Sequence, residues 1–231
     1  MGGLIPLGNA SRRPRGFAVV TTLIIAINAY VFLLELSGGN RFVSAWSAIP
    51  LRITHGHHAI TLLSSMFMHA SWMHIVGNMV FLWAFGPAIE DAMGHLRFLI
   101  FYLAGGVAAM LAQVFADPSS TIPCLGASGA IAAVMGAFIV TFPRDRIRAL
   151  IFFLLFFRVT YIPAVVLIGF WFLIQVLNFG VVADVRTGGV AYIAHIAGKG
   201  ESLWQTTDPY PPIASGPFPV SASKSIGTAT R

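Results

Sequence analysis

The sequence predicts an all-α protein, a polytopic bundle of membrane helices with six transmembrane spans expected and the sixth of them short. Three observations predict it. Of 231 residues, 57% are hydrophobic and only 10% are charged, against roughly 45–50% and about 25% in water-soluble domains. The apolar residues gather into runs of about 20, the length that crosses roughly 30 Å of hydrocarbon. Short Gly, Pro, Asn and charged turns separate the runs and leave little chain for a separate soluble domain. The balance of 14 Lys+Arg against 8 Asp+Glu gives a formal charge of +6, too thinly spread for the basic stripe that tracks phosphates, so nucleic acid is disfavoured as a partner. A single cysteine, Cys124, excludes an internal disulfide framework and any CxxC site.

Residues 1–16 carry Arg12, Arg13 and Arg15 and read as a cytoplasmic segment ahead of a membrane domain over 17–198. The first apolar run, 17–36, is long enough to span and lacks a small-residue cleavage site after it, so it is expected to stay as a helix. Residues 37–65 read as a loop of nearly thirty residues, and loops of that length in compact proteins tend to be functional. The second run, 66–89, holds His69, His74 and Asn78 and ends at the Glu90–Asp91 turn. A third covers 96–116. A fourth, 122–142, contains Gly126-Ala127-Ser128-Gly129 and closes at Pro143-Arg144. Residues 149–157 are apolar but too short to span, and their aromatic density suits a headgroup-level segment feeding the fifth span, 162–183. The sixth stretch, 188–198, carries His195 and stops at Lys199 after eleven residues, about 16 Å of helix. The Pro/Gly/Ser-rich remainder, 199–231, is expected to be a disordered tail. Eight arginines (12, 13, 15, 97, 144, 146, 148, 158) fall on one side of this topology and three (41, 52, 186) on the other, which places the N-terminus in the cytoplasm.

Polar side chains at membrane depth are costly, and each is a candidate functional residue. His74 and Asn78, four residues apart, lie on one helix face within about 40° of each other and present two donors in one direction. Ser128 opens a helix between Gly126 and Gly129, where free main-chain N–H groups and absent side chains leave room for a ligand or an oxyanion. Ala191 and Gly198 flank His195 at helical spacing and give it a smooth face to pack on Ala132 and Gly136. That packing would bring His195 to Ser128, a general base beside a nucleophile. Asp117, Asp145 and Asp184 lie in turns, so no carboxylate completes a triad. Each residue also has a structural reading: Ser128 bonded to its own helix, His74 and Asn78 as interhelical glue, His195 as a packing histidine. His69, about 140° around the helix from His74 at 3.6 residues per turn, faces elsewhere and reads as structural support. The His55-Gly56-His57-His58 group invites a metal reading but lacks further convergent ligands.

Over roughly residues 17–198 the sequence resembles the rhomboid family of intramembrane serine proteases. The resemblance rests on His69-x-x-x-x-His74-x-x-x-Asn78, on Gly126-Ala127-Ser128-Gly129 and on Ala194-His195-Ile196-Ala197-Gly198, in that order, with Gly94-His95-Leu96-Arg97-Phe98 between them. It implies a six-helix bundle in the cell membrane, bacterial in type, with Ser128 as nucleophile, His195 as base, His74 and Asn78 at the oxyanion, and no cofactor or metal. Its implied substrates are transmembrane segments of other membrane proteins. The sequence departs from the family after Gly198, where the usual second glycine is Ser202, and at Ala132, where some members carry tyrosine. Two other readings stay open: a rhomboid-like protein that binds transmembrane segments without cutting them, and a small transporter or channel using His74, Asn78 and His195 as a polar path.

Overall fold

The structure, a computed structural model, describes residues 2–12, 16–153 and 156–184. The sixth apolar stretch with His195, and the expected tail, lie outside the described residues. Strand β1 (Gly2–Asn9) precedes helix α1 (Val19–Trp46), two short helices α2 (Pro50–Thr54) and α3 (Thr61–Ser64), and a 3-10 turn over Ser65–Phe67. The long helices α4 (Trp72–Met93) and α5 (His95–Ala116) follow, then α6 (Ser128–Thr141), strands β2 (Arg146–Phe153) and β3 (Phe156–Pro163), and α7 (Ala164–Asp184). Among the described residues, α1, α4 and α5 are long and apolar enough to cross a membrane, while α6 is a shorter apolar helix.

Helix α1 runs ten residues beyond its expected end. Gly39, at φ 55° and ψ −149°, breaks it into two helical pieces. The expected loop over 37–65 is therefore mostly short helix, because its apolar positions recur at helical spacing between the Gly39 and Gly56 breaks. Helix α4 begins at Trp72 and not at 66, since Ser71 caps it by accepting the His74 N–H at 3.2 Å. Helix α6 likewise begins at Ser128. Residues 122–125 are held extended by two bonds between Ala48 and Cys124, at 3.0 and 2.7 Å, so the first-loop region clamps the chain that leads into α6.

At about 1.5 Å per residue, the 14 residues of α6 reach only about 21 Å, and the helix is the centre of the core. Ile131, Val134 and Phe138 are fully buried against Leu82, Phe85 and Ile89 of α4 and Phe98 and Tyr102 of α5. Phe85 meets Phe138 edge to face at 5.0 Å. Between apolar helices in lipid, close packing rather than water exclusion supplies the attraction. Small residues allow it here: a Cβ added at Gly105 would lie 2.6 Å from the Ala133 Cβ. Glu90, expected in a turn, is inside α4 and 1% exposed. Its carboxylate accepts Val20 N–H and Thr21 N–H at 2.8 Å each and the Thr21 hydroxyl at 2.6 Å. It thus caps the N-terminus of α1 from another helix, where free N–H groups and the helix dipole favour an anion.

The antiparallel sheet β1-β2-β3 adds to the all-helical expectation. Residues 149–157, read as an interfacial segment, belong to a hairpin pairing Arg146 with Pro163 and Phe153 with Phe156. Alternation of Arg146, Ile147, Arg148 and Ala149, with Val, Thr, Tyr and Ile after Arg158, suits a pleated surface. The segment before α1 joins the same sheet through β1. It is anchored where Arg12 Nε meets Asp145 Oδ2 at 2.7 Å and stacks over Phe142 at 4.2 Å.

Candidate active site

The cap at Ser71 makes His74 the third residue of α4, and Asn78 follows one turn later. Across from them, Gly126 turns the extended chain into α6 at φ +128°, a conformation that glycine alone adopts without strain. Its N–H donates to the Ser65 carbonyl at 2.9 Å. A Cβ at Gly126 would lie 2.9 Å from both Nε2 and Cε1 of His74 and 3.8 Å from the Ser128 Oγ. The edge of the imidazole and the serine hydroxyl therefore lie within 4 Å of a common point. Ser128 is the first residue of α6, so the earliest N–H groups of that helix lack intrahelical partners and are free to donate to an anion.

Asn78 is 8% exposed, and its Nδ2 has no hydrogen-bond partner among the described residues. An unmet buried amide donor costs about 1–3 kcal/mol, a cost that a bound oxygen acceptor would relieve. The Nδ1 of His74 accepts the Ala70 N–H at 3.4 Å.

His69 requires a correction. It precedes α4 instead of lying on it, so the expected 140° separation does not apply. Its ring packs edge to face on His74, with centroids 5.0 Å apart, and its backbone N–H donates to Glu35 Oε2 at 2.9 Å. His69 supports His74 directly, and Glu35 is a participant that sequence reading missed. The available signal was an acidic residue at the end of an apolar run.

Gly129 serves the helix contact, since a Cβ there would lie 2.4 Å from the Ala109 Cβ. Ser128 and His74 are thus gathered around Gly126, with Asn78 one turn further along α4, while His195 lies outside the described residues. His55, His57 and His58 are exposed, and no group of three or more His, Cys, Asp or Glu side chains suited to a metal occurs among the described residues. Asp117 follows the end of α5, and Asp145 is engaged by Arg12 and Asn9. Burial, with Asp117 nearby, pushes the Cys124 thiol up to about 11, so four residues from Ser128 it is a poor nucleophile at neutral pH.

The rhomboid domain model matches residues 56–202, more than half of the chain and including Gly126, Ser128 and His195. Rhomboid protein 1, mitochondrial, of Saccharomyces cerevisiae is 28% identical over 183 residues, covering 76% of this chain and 49% of that protein. Rhomboid protease GluP of Bacillus subtilis is 32% identical over 136 residues, covering 57% and 26%. Presenilin-associated rhomboid-like protein A, mitochondrial, of Danio rerio is 33% identical over 130 residues, covering 54% and 33%. The chain spans about half or less of the length of these relatives. With a helical multi-pass membrane architecture and a family match that runs from the first-loop region through the last histidine motif, the chain belongs to the rhomboid family.

Proposed function

We propose that this chain is an intramembrane serine endopeptidase that cleaves transmembrane segments of other membrane proteins. The observation that carries the reading is the meeting of the His74 imidazole and the Ser128 hydroxyl around Gly126 at the start of α6. In this reading the Ser128 Oγ attacks the scissile carbonyl as His195 takes its proton, and the developing oxyanion is received by His74 Nε2–H, Asn78 Nδ2 and the Ser128 main-chain N–H. His195 then passes the proton to the leaving amine, and water attacking the acyl-enzyme, with His195 again as base, releases the second product. No metal or cofactor enters these steps. Preformed donors aimed at developing charge supply the largest share of such catalysis, and losing one typically costs about 10²–10³ in kcat. We place the chain in a cell membrane of bacterial type on the resemblance of Gly94-His95-Leu96-Arg97-Phe98, and the arginine distribution supports an N-terminus in the cytoplasm.

The test is cleavage of a transmembrane reporter in proteoliposomes by the wild-type chain and by Ser128→Ala, with fluorophosphonate labelling of Ser128 in parallel. Wild-type cleavage lost in Ser128→Ala supports the assignment, and equal cleavage by both overturns it. A second reading, binding of transmembrane segments without cleavage, is favoured by one observation: the last apolar stretch stops at Lys199 after eleven residues, half the hydrocarbon thickness. It predicts that the reporter co-purifies with the chain while Ser128 stays unlabelled.

A further inference from the structure

Glu35 lies within α1 and is 6% exposed, where an ionisable side chain is costly and calls for a function. One of its oxygens, Oε2, accepts the His69 N–H at 2.9 Å. The other, Oε1, is buried without a partner among the described residues. Glu35 therefore contacts the chain two residues ahead of the Ser71 cap of α4. One residue further on, the Ala70 N–H donates to His74 Nδ1 at 3.4 Å. Glu35 thus holds the 68–69 peptide, and the next peptide, 69–70, hands a donor to His74.

That donor carries chemical information. A neutral imidazole has one N–H, and a ring nitrogen that accepts a hydrogen bond leaves the proton on the other. An Ala70 N–H on Nδ1 selects the tautomer with its proton on Nε2, the nitrogen that stands at Gly126 near the Ser128 hydroxyl. At 3.4 Å the bond is long and tolerates little further displacement. Whatever fixes the 69–70 peptide consequently decides which nitrogen of His74 carries the proton. The His69 ring, edge-on to His74 at 5.0 Å, limits the ring's tilt and leaves its tautomer to this bond.

We propose that Glu35 is a positioning residue: through the His69 N–H it holds the 68–69 peptide, fixes the 69–70 peptide that follows, and thereby sets the Nε2–H tautomer and orientation of His74 beside Ser128. The catalytic consequence rests on His74 being an oxyanion donor, whereas the tautomer does not.

The experiment uses the full chain in lipid nanodiscs with histidine rings labelled in 15N, His74→Gln identifying the His74 signals. Proton–nitrogen correlations through the ring report the tautomer without any need for activity. The wild-type chain is expected to show one tautomer, protonated at Nε2. Glu35→Gln is expected to keep it, because the carboxamide oxygen accepts the same N–H. Glu35→Ala is expected to lose the single tautomer and show a mixture; where its cavity prevents folding, Glu35→Met, closer in volume, carries the same expectation. A single Nε2–H tautomer retained in the folded Ala or Met variant overturns the inference. In the cleavage assay, Glu35→Ala is expected to lower kcat by about tenfold, less than outright loss of an oxyanion donor, with KM unchanged and with rescue by Glu35→Gln. If Ser128→Ala cleaves as well as wild type, the protease reading fails while the tautomer result still decides the role of Glu35.

Discussion

Substituting Gly126 by alanine tests the geometry of the site most directly. The added methyl would stand 2.9 Å from Nε2 and Cε1 of His74, whereas carbon contacts are comfortable at about 3.5–4.0 Å. The imidazole must therefore retreat by roughly 0.6–1 Å to restore ordinary contact. Gly126 also sits at φ +128°, and an L side chain held there costs on the order of 1–3 kcal/mol. Both effects act on one point, because the same methyl lies 3.8 Å from the Ser128 Oγ. A displacement of about 1 Å in a catalytic group costs about 10²-fold in rate, or about 2.7 kcal/mol of barrier. Gly126→Ala is accordingly expected to lower kcat about 100-fold with KM little changed, and to slow fluorophosphonate labelling of Ser128 in parallel. Cleavage of the transmembrane reporter, read beside thermal unfolding, measures it. A folded variant with kcat within twofold of wild type, under conditions where Ser128→Ala is inactive, would refute the placement of His74 against Gly126.

Glu90→Ala removes the acceptor for two backbone N–H groups and the Thr21 hydroxyl and the partner of His95 Nδ1, and leaving buried donors unmet is costly. Its expected loss of unfolding free energy is about 3–5 kcal/mol, with a smaller loss for Glu90→Gln; denaturation in mixed micelles reads both, and a loss under 1 kcal/mol for the alanine variant contradicts the cap. Prolonged dialysis against a chelator is expected to leave the cleavage rate unchanged, because the proposed steps use only Ser128, His195, His74 and Asn78; a rate restored by added zinc would contradict them.

Helices were legible wherever the apolar run and the helix share the same stop signals. Helix α5 differs from its expected start by one residue, since Gly94 ends one helix and admits the next. Where the stop signal is a side-chain contact, the boundary moved. The run at 66–89 is continuous in hydropathy, yet the Ser71 cap starts α4 six residues late and leaves His69 on the non-helical link ahead of it. Angular reasoning about His69 and His74 presupposed one helix and so separated two rings that in fact touch. The sheet escaped notice for a different reason: β1 and β2 are separated by more than 130 residues, and the alternation in each strand is too short to stand out until the partner is known.

The site divides along the same line. His74, Asn78 and Ser128 stood out because polar residues inside apolar runs are costly and few. Glu35 and Glu90 satisfy the same criterion and were passed over because each lies at the end of a run, where acidic residues usually meet water. Their burial follows from contacts that composition cannot show: Glu90 meets the N-terminus of α1, and Glu35 meets the backbone ahead of α4. Both carboxylates accept main-chain N–H groups, and Glu90 also meets His95 Nδ1, so main-chain donors carry much of the cost of placing each inside the bundle. Acidic residues at the ends of apolar runs in this fold are therefore to be read first as acceptors for helix starts and turns.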